Sequence, residues 1–173
     1  MKTLILGGVR SGKSRLAESL AARSGKSVTY IATAAAGDGE MRERIAAHRT
    51  RRSPDWTVVE EPVRLSAALE AHAVNSAFVL VDCLTLWLTN LLVANDETQF
   101  TRERDALVSL LPRLNGEIAL VSNETGMGIM PLGELTRRFG DEAGRLHQEL
   151  AQHCERVVLT VAGLPSILKG EPI

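Results

Sequence analysis

Cysteine is scarce: the chain of 173 residues has two, Cys83 and Cys154, too few for a disulfide framework. Each lies in or beside an apolar, strand-like segment and reads as a reduced, structural residue. An excess of either charge is missing as well. The net charge is -1 and the pI about 6.4, so nothing in the bulk electrostatics attracts DNA, RNA or an anionic membrane. No nucleic-acid partner is expected, and any anion site has to be local. No apolar run approaches the roughly 18–20 residues that cross a bilayer, because the stretch 78–93 is broken by Asp82, Thr85, Thr89 and Asn90. The chain opens on a strand and a glycine-rich loop rather than a basic region, an apolar segment and a cleavage site, which predicts a cytoplasmic protein without a membrane span. Repeats, low-complexity tracts, linkers and the Cys/His spacings of zinc sites are also lacking.

What is present is an ordinary globular composition, 45% apolar and 24% charged, in a length that suits one domain over residues 1–173. Short runs at 3–6, 28–32, 78–81, 119–121 and 157–161 are apolar on both faces, the mark of strands buried in a parallel sheet. Helical patterns at 14–23, 40–52, 63–73, 84–92, 102–114 and 132–153 separate them. The alternation predicts an α/β fold with a mostly parallel sheet covered by helices on both faces.

Between the first strand and the first helix stand Gly7, Gly8, Val9, Arg10, Ser11, Gly12, Lys13 and Ser14, which fit G-x-x-x-x-G-K-[ST] in the context that motif requires. Glycines let successive backbone N–H groups turn toward one anion. Lys13 neutralises the outer phosphates, and the Ser14 hydroxyl is placed to ligate magnesium. The alternative, a glycine-rich turn without a ligand, leaves that spacing unexplained. The strand at 78–81 runs into Asp82, a Walker B candidate for the same magnesium, although an aspartate there can equally cap the helix that starts at Leu84.

On the predicted helix 40–52, Arg44, His48 and Arg52 follow one another at i, i+4 steps, with Arg51 three residues beyond His48. Clustered guanidiniums suit a phosphate, and their charge disfavours the imidazolium, leaving a neutral nitrogen as nucleophile. A solvated basic helix with an incidental histidine has the same spacing, so periodicity leaves both readings open. Pro54 ends the element. His72, His147 and His153 read as surface or partly buried structural residues.

The loop at 7–14, Arg44-Ile-Ala-Ala-His48-Arg49, Trp56 with Glu60, Val81-Asp82-Cys83-Leu84-Thr85 and Ser122-Asn123-Glu124-Thr125-Gly126-Met127-Gly128 together resemble the bifunctional adenosylcobinamide kinase / adenosylcobinamide-phosphate guanylyltransferase family of cobalamin biosynthesis. The resemblance extends from Met1 to about Lys169. It implies a RecA-like P-loop fold, a homotrimer and two reactions. In the first, ATP or GTP phosphorylates the aminopropanol hydroxyl of adenosylcobinamide. In the second, a histidine takes GMP from GTP and passes it to adenosylcobinamide phosphate. The matching histidine is His48. Residues 7–14, Ala32, Thr33, Ala34, Arg49, Thr50, Arg51, Arg52, Glu60 and Asp82 fall where the family binds nucleotide, with Mg2+ between Ser14 and Asp82. The loop from Ser122 to Gly128 is a candidate border of the corrinoid, with Glu124 acting on the substrate hydroxyl or serving only as a turn. The family pattern has a threonine two residues after the tryptophan and an asparagine near His147. Here Thr57 follows Trp56 directly, and neither Thr57 nor His147 receives a role from the resemblance. A simple small-molecule kinase, in which His48 only binds the acceptor, and a nucleotide-dependent regulatory switch are the rival readings.

Overall fold

A computed structural model describes residues 1–34 and 53–173. The predicted helix 40–52 and the candidates Arg44, His48, Arg49, Thr50, Arg51 and Arg52 lie outside the described residues.

In chain order the elements are β1 (Lys2–Gly7), α1 (Lys13–Arg23), β2 (Ser27–Ala32), β3 (Thr57–Glu60), α2 (Leu65–His72), β4 (Ala77–Asp82), α3 (Leu84–Val93), α4 (Glu97–Leu110) with a 3-10 turn at Leu111–Arg113, β5 (Glu117–Asn123), α5 (Glu134–His153), β6 (Arg156–Val161) and β7 (Leu164–Lys169). The strands form one sheet in the order β3-β2-β4-β5-β1-β6-β7. All neighbours are parallel except β7, which returns antiparallel along β6.

The all-apolar strands are explained by where their two faces go. Leu4, Leu6, Val79, Val81, Ile118 and Leu120 point into a core shared with Leu65, Leu69, Trp87, Leu88, Leu91, Leu107, Leu146 and Leu150 from α2 to α5. The residues between them, Ile5, Phe78, Leu80, Ala119 and Val121, pack against Ala17 and Ala21 of α1 and against Tyr30. Alternation is hidden in the sequence because both layers are dry.

The expected strands and helices within the described residues are all present, with three differences. First, α4 begins five residues before the predicted 102, because the Asp96 carboxylate accepts the Gln99 N–H, 2.9 Å, and caps the helix there. Its regular part stops at Leu110, ahead of Pro112. Second, β3 is an edge strand with three exposed positions of four, so it carries no buried run. Third, β7 joins β6 through Ala162 and Gly163, whose φ values of 51° and 81° make the tight turn that suits a two-residue hairpin. Pro165 within β7 is tolerated at a sheet edge. Among the described residues no helix is long and apolar enough to cross a membrane.

Trp87, fully buried, ties these layers to the loop ahead of α2: its indole N–H donates to the Val63 carbonyl at 2.7 Å. Trp87→Phe strands that carbonyl, and a loss of about 1–3 kcal/mol is expected. Urea unfolding of the two proteins measures it, and an unchanged midpoint would show that the bond contributes nothing.

Candidate active site at the carboxyl edge of the sheet

In a parallel sheet the loops that follow the strands gather at one edge, and register decides which meet. Gly7 lies opposite Asn123 on one side and Thr160 on the other. Asp82 lies opposite Val121 and Ala32, and Ala32 opposite Glu60. The ends of β1, β2, β3, β4 and β5 thereby bring Gly7–Ser14, Ala32–Ala34, Glu60 and Asp82 to one edge. This is the crevice in which open α/β sheets hold ligands.

The phosphate loop is shaped by backbone that few residues adopt. Arg10 has φ 56° and Gly12 φ 102°, and α1 starts at once with Gly12 as its N-cap. The loop closes on itself through Ser11 N–H to Gly8 O, 3.3 Å, and is held from behind by Gly163 N–H to Ser11 O, 2.8 Å. Gly8, Val9 and Arg10 are exposed. Lys13 is buried, with its ammonium donating to Gly8 O at 2.6 Å and lying 3.5 Å from Ser11 Oγ. Burial pulls its pKa down, opposed by Cys83 and Asp82. A cation in that position seeks a fixed counter-charge, and the helix start of α1 favours an anion beside it.

Asp82 ends β4 half-buried, and its Oδ2 accepts the Tyr30 hydroxyl at 2.9 Å. The carboxylate is thus steered by a core aromatic rather than spent on a helix N-terminus; α3 has no side-chain cap. Ser14 sits in the first turn of α1, half-buried. A hydroxyl and a carboxylate on this one edge are the hard oxygen donors that magnesium takes together with phosphate oxygens.

Thr33 is completely buried, its hydroxyl donating to Cys83 O at 2.6 Å and accepting Cys83 N–H at 2.9 Å. Its side chain therefore locks the ends of β2 and β4 together, and any nucleotide contact from 32–34 comes from the other atoms of that segment. Asn90, which the sequence offered only as a break in an apolar run, clamps the same corner: its amide donates to Thr33 O at 2.8 Å and Pro62 O at 3.0 Å. Glu60 is exposed at the end of β3.

Sequence reasoning also missed what lies under Glu124. The backbone N–H of Glu124 donates to Gly7 O at 2.9 Å, which fixes it beside the phosphate loop. His147, expected as a surface or partly buried structural residue, is buried on α5 with Nε2 2.8 Å from Ser122 Oγ and Nδ1 3.9 Å from Glu124 Oε2. Only the polar character of Ser122-Asn123-Glu124 at the end of an apolar strand hinted at such a network. Among the described residues no cluster of three or more His, Cys, Asp or Glu side chains forms a protein-only metal cage.

Gly7 has no room for a side chain: a Cβ there would lie 2.3 Å from Thr160 O and 2.6 Å from Ser11 Oγ. Gly7→Ala is expected to abolish ATP binding measured by calorimetry and to lower the melting temperature. Unaltered affinity would show that the loop does not need this close approach.

The fold matches solved structures at low identity. The RadB recombinase aligns with TM-score 0.51 and 17% identity over 91% of this chain and 73% of that one. An ATPase of the type III secretion system of pathogenic bacteria aligns with TM-score 0.55 and 11% identity over 96% and 56%. These likenesses establish a RecA-like P-loop α/β fold. Two relatives are far nearer in sequence. The bifunctional adenosylcobalamin biosynthesis protein CobP of Pseudomonas aeruginosa is 62% identical over the full length of both chains. The bifunctional adenosylcobalamin biosynthesis protein CobU of Escherichia coli is 38% identical over 95% of this chain and 97% of its own. The family model described as cobinamide kinase / cobinamide phosphate guanyltransferase matches residues 3–168. The chain, with its phosphate loop and Asp82 on one sheet edge, belongs to that family of enzymes.

Proposed function

We propose that the protein carries out both reactions of its family: phosphorylation of the aminopropanol hydroxyl of adenosylcobinamide by ATP or GTP, then transfer of GMP from GTP to the resulting phosphate, giving adenosylcobinamide-GDP. The observation that carries the first step is the arrangement of Gly7–Ser14, buried Lys13 and Tyr30-steered Asp82 on one sheet edge. Lys13 and the loop N–H groups take the charge of the transferring phosphoryl group. Ser14 and Asp82 would hold Mg2+, which supplies charge neutralisation on the phosphate oxygens. Beside them the loop after Glu124 exposes Met127, Ile129, Met130 and Leu132, an apolar run suited to a large corrinoid acceptor.

For the second step the nucleophile is His48, outside the described residues. A neutral imidazole nitrogen attacks the α-phosphorus of GTP, the bond to the bridging oxygen breaks, and pyrophosphate leaves. The phosphate of the acceptor then displaces the histidine and takes the GMP. Dividing the transfer between two bulky anions into two displacements lets each start from a positioned reactant. Arg49, Thr50, Arg51, Arg52 and Glu60 belong to the GTP site in this reading. The work is placed in the cytoplasm, where both nucleotides are supplied.

The deciding measurement uses GTP labelled at the α-phosphate. With magnesium, wild type is expected to acquire acid-labile label on denaturing gels, and His48→Ala none; chelation with EDTA removes the label. No label on wild type would leave a simple P-loop kinase, with His48 binding the acceptor.

The proposed assembly is a homotrimer. Val161, Leu164 and Leu168 are exposed on and beside the β6–β7 hairpin, apolar surface of the kind that association covers. Light scattering is expected to give three times the chain mass of 18.7 kDa, and a monomer mass at working concentration would refute it.

A further inference from the structure

Strand order places β5 between the phosphate-loop strand β1 and the Asp82 strand β4. Whatever follows Asn123 therefore stands over the gap between Lys13 and Asp82, where a terminal phosphate has to sit. That residue is Glu124, pinned to Gly7 O through its backbone. Its carboxylate is hydrogen-bonded on one side and faced by an imidazole on the other. Oε1 accepts the Gly126 N–H at 2.6 Å, and Oε2 faces His147 Nδ1 at 3.9 Å. His147 is in turn anchored by Ser122 Oγ at 2.8 Å. Ser122 Oγ lies 3.5 Å from Thr85 Oγ1, which accepts the Asn123 N–H at 2.7 Å. Three elements, α3, β5 and α5, thus converge on a buried polar chain that ends at one half-exposed carboxylate.

We propose that Glu124 is the base for the acceptor hydroxyl in the kinase step and that His147, anchored by Ser122, is the positioning residue that aims its carboxylate. This rests on the kinase reading given above. In the step itself the acceptor oxygen bonds to the terminal phosphorus and the bond from that phosphorus to the bridging oxygen breaks. Nucleoside diphosphate leaves, and the hydroxyl proton passes to Glu124. Each carboxylate oxygen has two lone pairs, so the contacts to Gly126 and His147 leave room for that proton.

The environment of His147 suits a neutral orienter. Burial lowers its pKa, against the opposing pull of Glu124. A neutral ring that accepts from the Ser122 hydroxyl at Nε2 carries its proton on Nδ1, toward Glu124. The gap of 3.9 Å is longer than a hydrogen bond, and contacts of this kind tighten when substrate binds.

The two ring nitrogens can be tested separately in steady-state phosphorylation of adenosylcobinamide by ATP, with melting temperatures recorded alongside. Glu124→Gln is expected to lower kcat about 100-fold or more. His147→Asn retains a donor near the Nδ1 position and is expected to keep most of kcat. His147→Gln retains a polar atom only near Nε2 and is expected to lose about tenfold in kcat with KM unchanged, a loss of the size typical for removing an orienting partner. Combining His147→Gln with Glu124→Gln should slow the reaction no further than Glu124→Gln alone. Should both His147 variants fail to fold, Ser122→Ala, which removes only the Nε2 anchor, is expected to lower kcat several-fold at constant KM. Equal rates for the Asn and Gln variants, an effect confined to KM, or additive losses in the double variant would overturn the assignment of His147. An active wild type whose rate survives Glu124→Gln would overturn the base. A wild type that never phosphorylates adenosylcobinamide would overturn the kinase reading, and this inference with it.

Discussion

The pairing of β5 between β1 and β4 is the constraint on which the rest of the site depends. Lys13 follows β1, Asp82 ends β4 and Glu124 follows β5, so three charged groups come from the ends of neighbouring strands. Gly7 opposite Asn123 and Asp82 opposite Val121 set those ends side by side. A slip of one residue in β5 would turn its apolar set to the wrong layers and move Ser122, Asn123 and Glu124 off the edge. The two dry cores that fill both faces of the sheet therefore also align the chemistry.

Electrostatics builds on that frame. Lys13 is a buried ammonium whose charged form is disfavoured by desolvation and supported by Asp82 and Cys83. Its donors go to Gly8 O and lie near Ser11 Oγ, which keeps the charge satisfied without neutralising it. A phosphate seated over Gly8–Ser14 would add a counter-charge to that of Asp82, and in a site of low dielectric this attraction counts for more than it would in water. Asp82 is kept from wandering by Tyr30, a residue of the opposite core layer, so its carboxylate is preorganised by packing.

Legibility in the sequence followed the range of the contacts. The phosphate loop was readable because its eight positions are contiguous and each has a reason that local geometry explains. The five central strands were readable because burial on both faces leaves an unbroken apolar run. The edge strands were not: Thr57–Glu60 is mostly exposed, and Leu164–Lys169 contains Pro165 and follows an Ala-Gly turn instead of the more familiar Asn-Gly. The corner made by Thr33, Cys83 and Asn90 was hidden because its partners lie 50 to 57 residues apart. The depth and the partner of His147 were hidden for the same reason. Its setting is created by Ser122, 25 residues away, and no helical periodicity on α5 announces a strand end arriving beneath it. His48 is singled out by its spacing among arginines and by the family to which the chain belongs.

The β6–β7 hairpin shows how an element with no chemistry of its own enters the same system. It lies at the sheet edge and follows every motif in the chain, yet Gly163 N–H holds Ser11 O at 2.8 Å. A Cβ on Gly12 would come within 3.0 Å of Gly163 Cα. The close approach of two glycines, one from each end of the chain, lets the hairpin turn brace the phosphate loop from behind while its front stays open. Backbone strain at Arg10 persists only where surrounding structure holds it, and the brace is part of what holds it. The turn of the last strand pair thereby helps maintain the conformation of the first loop.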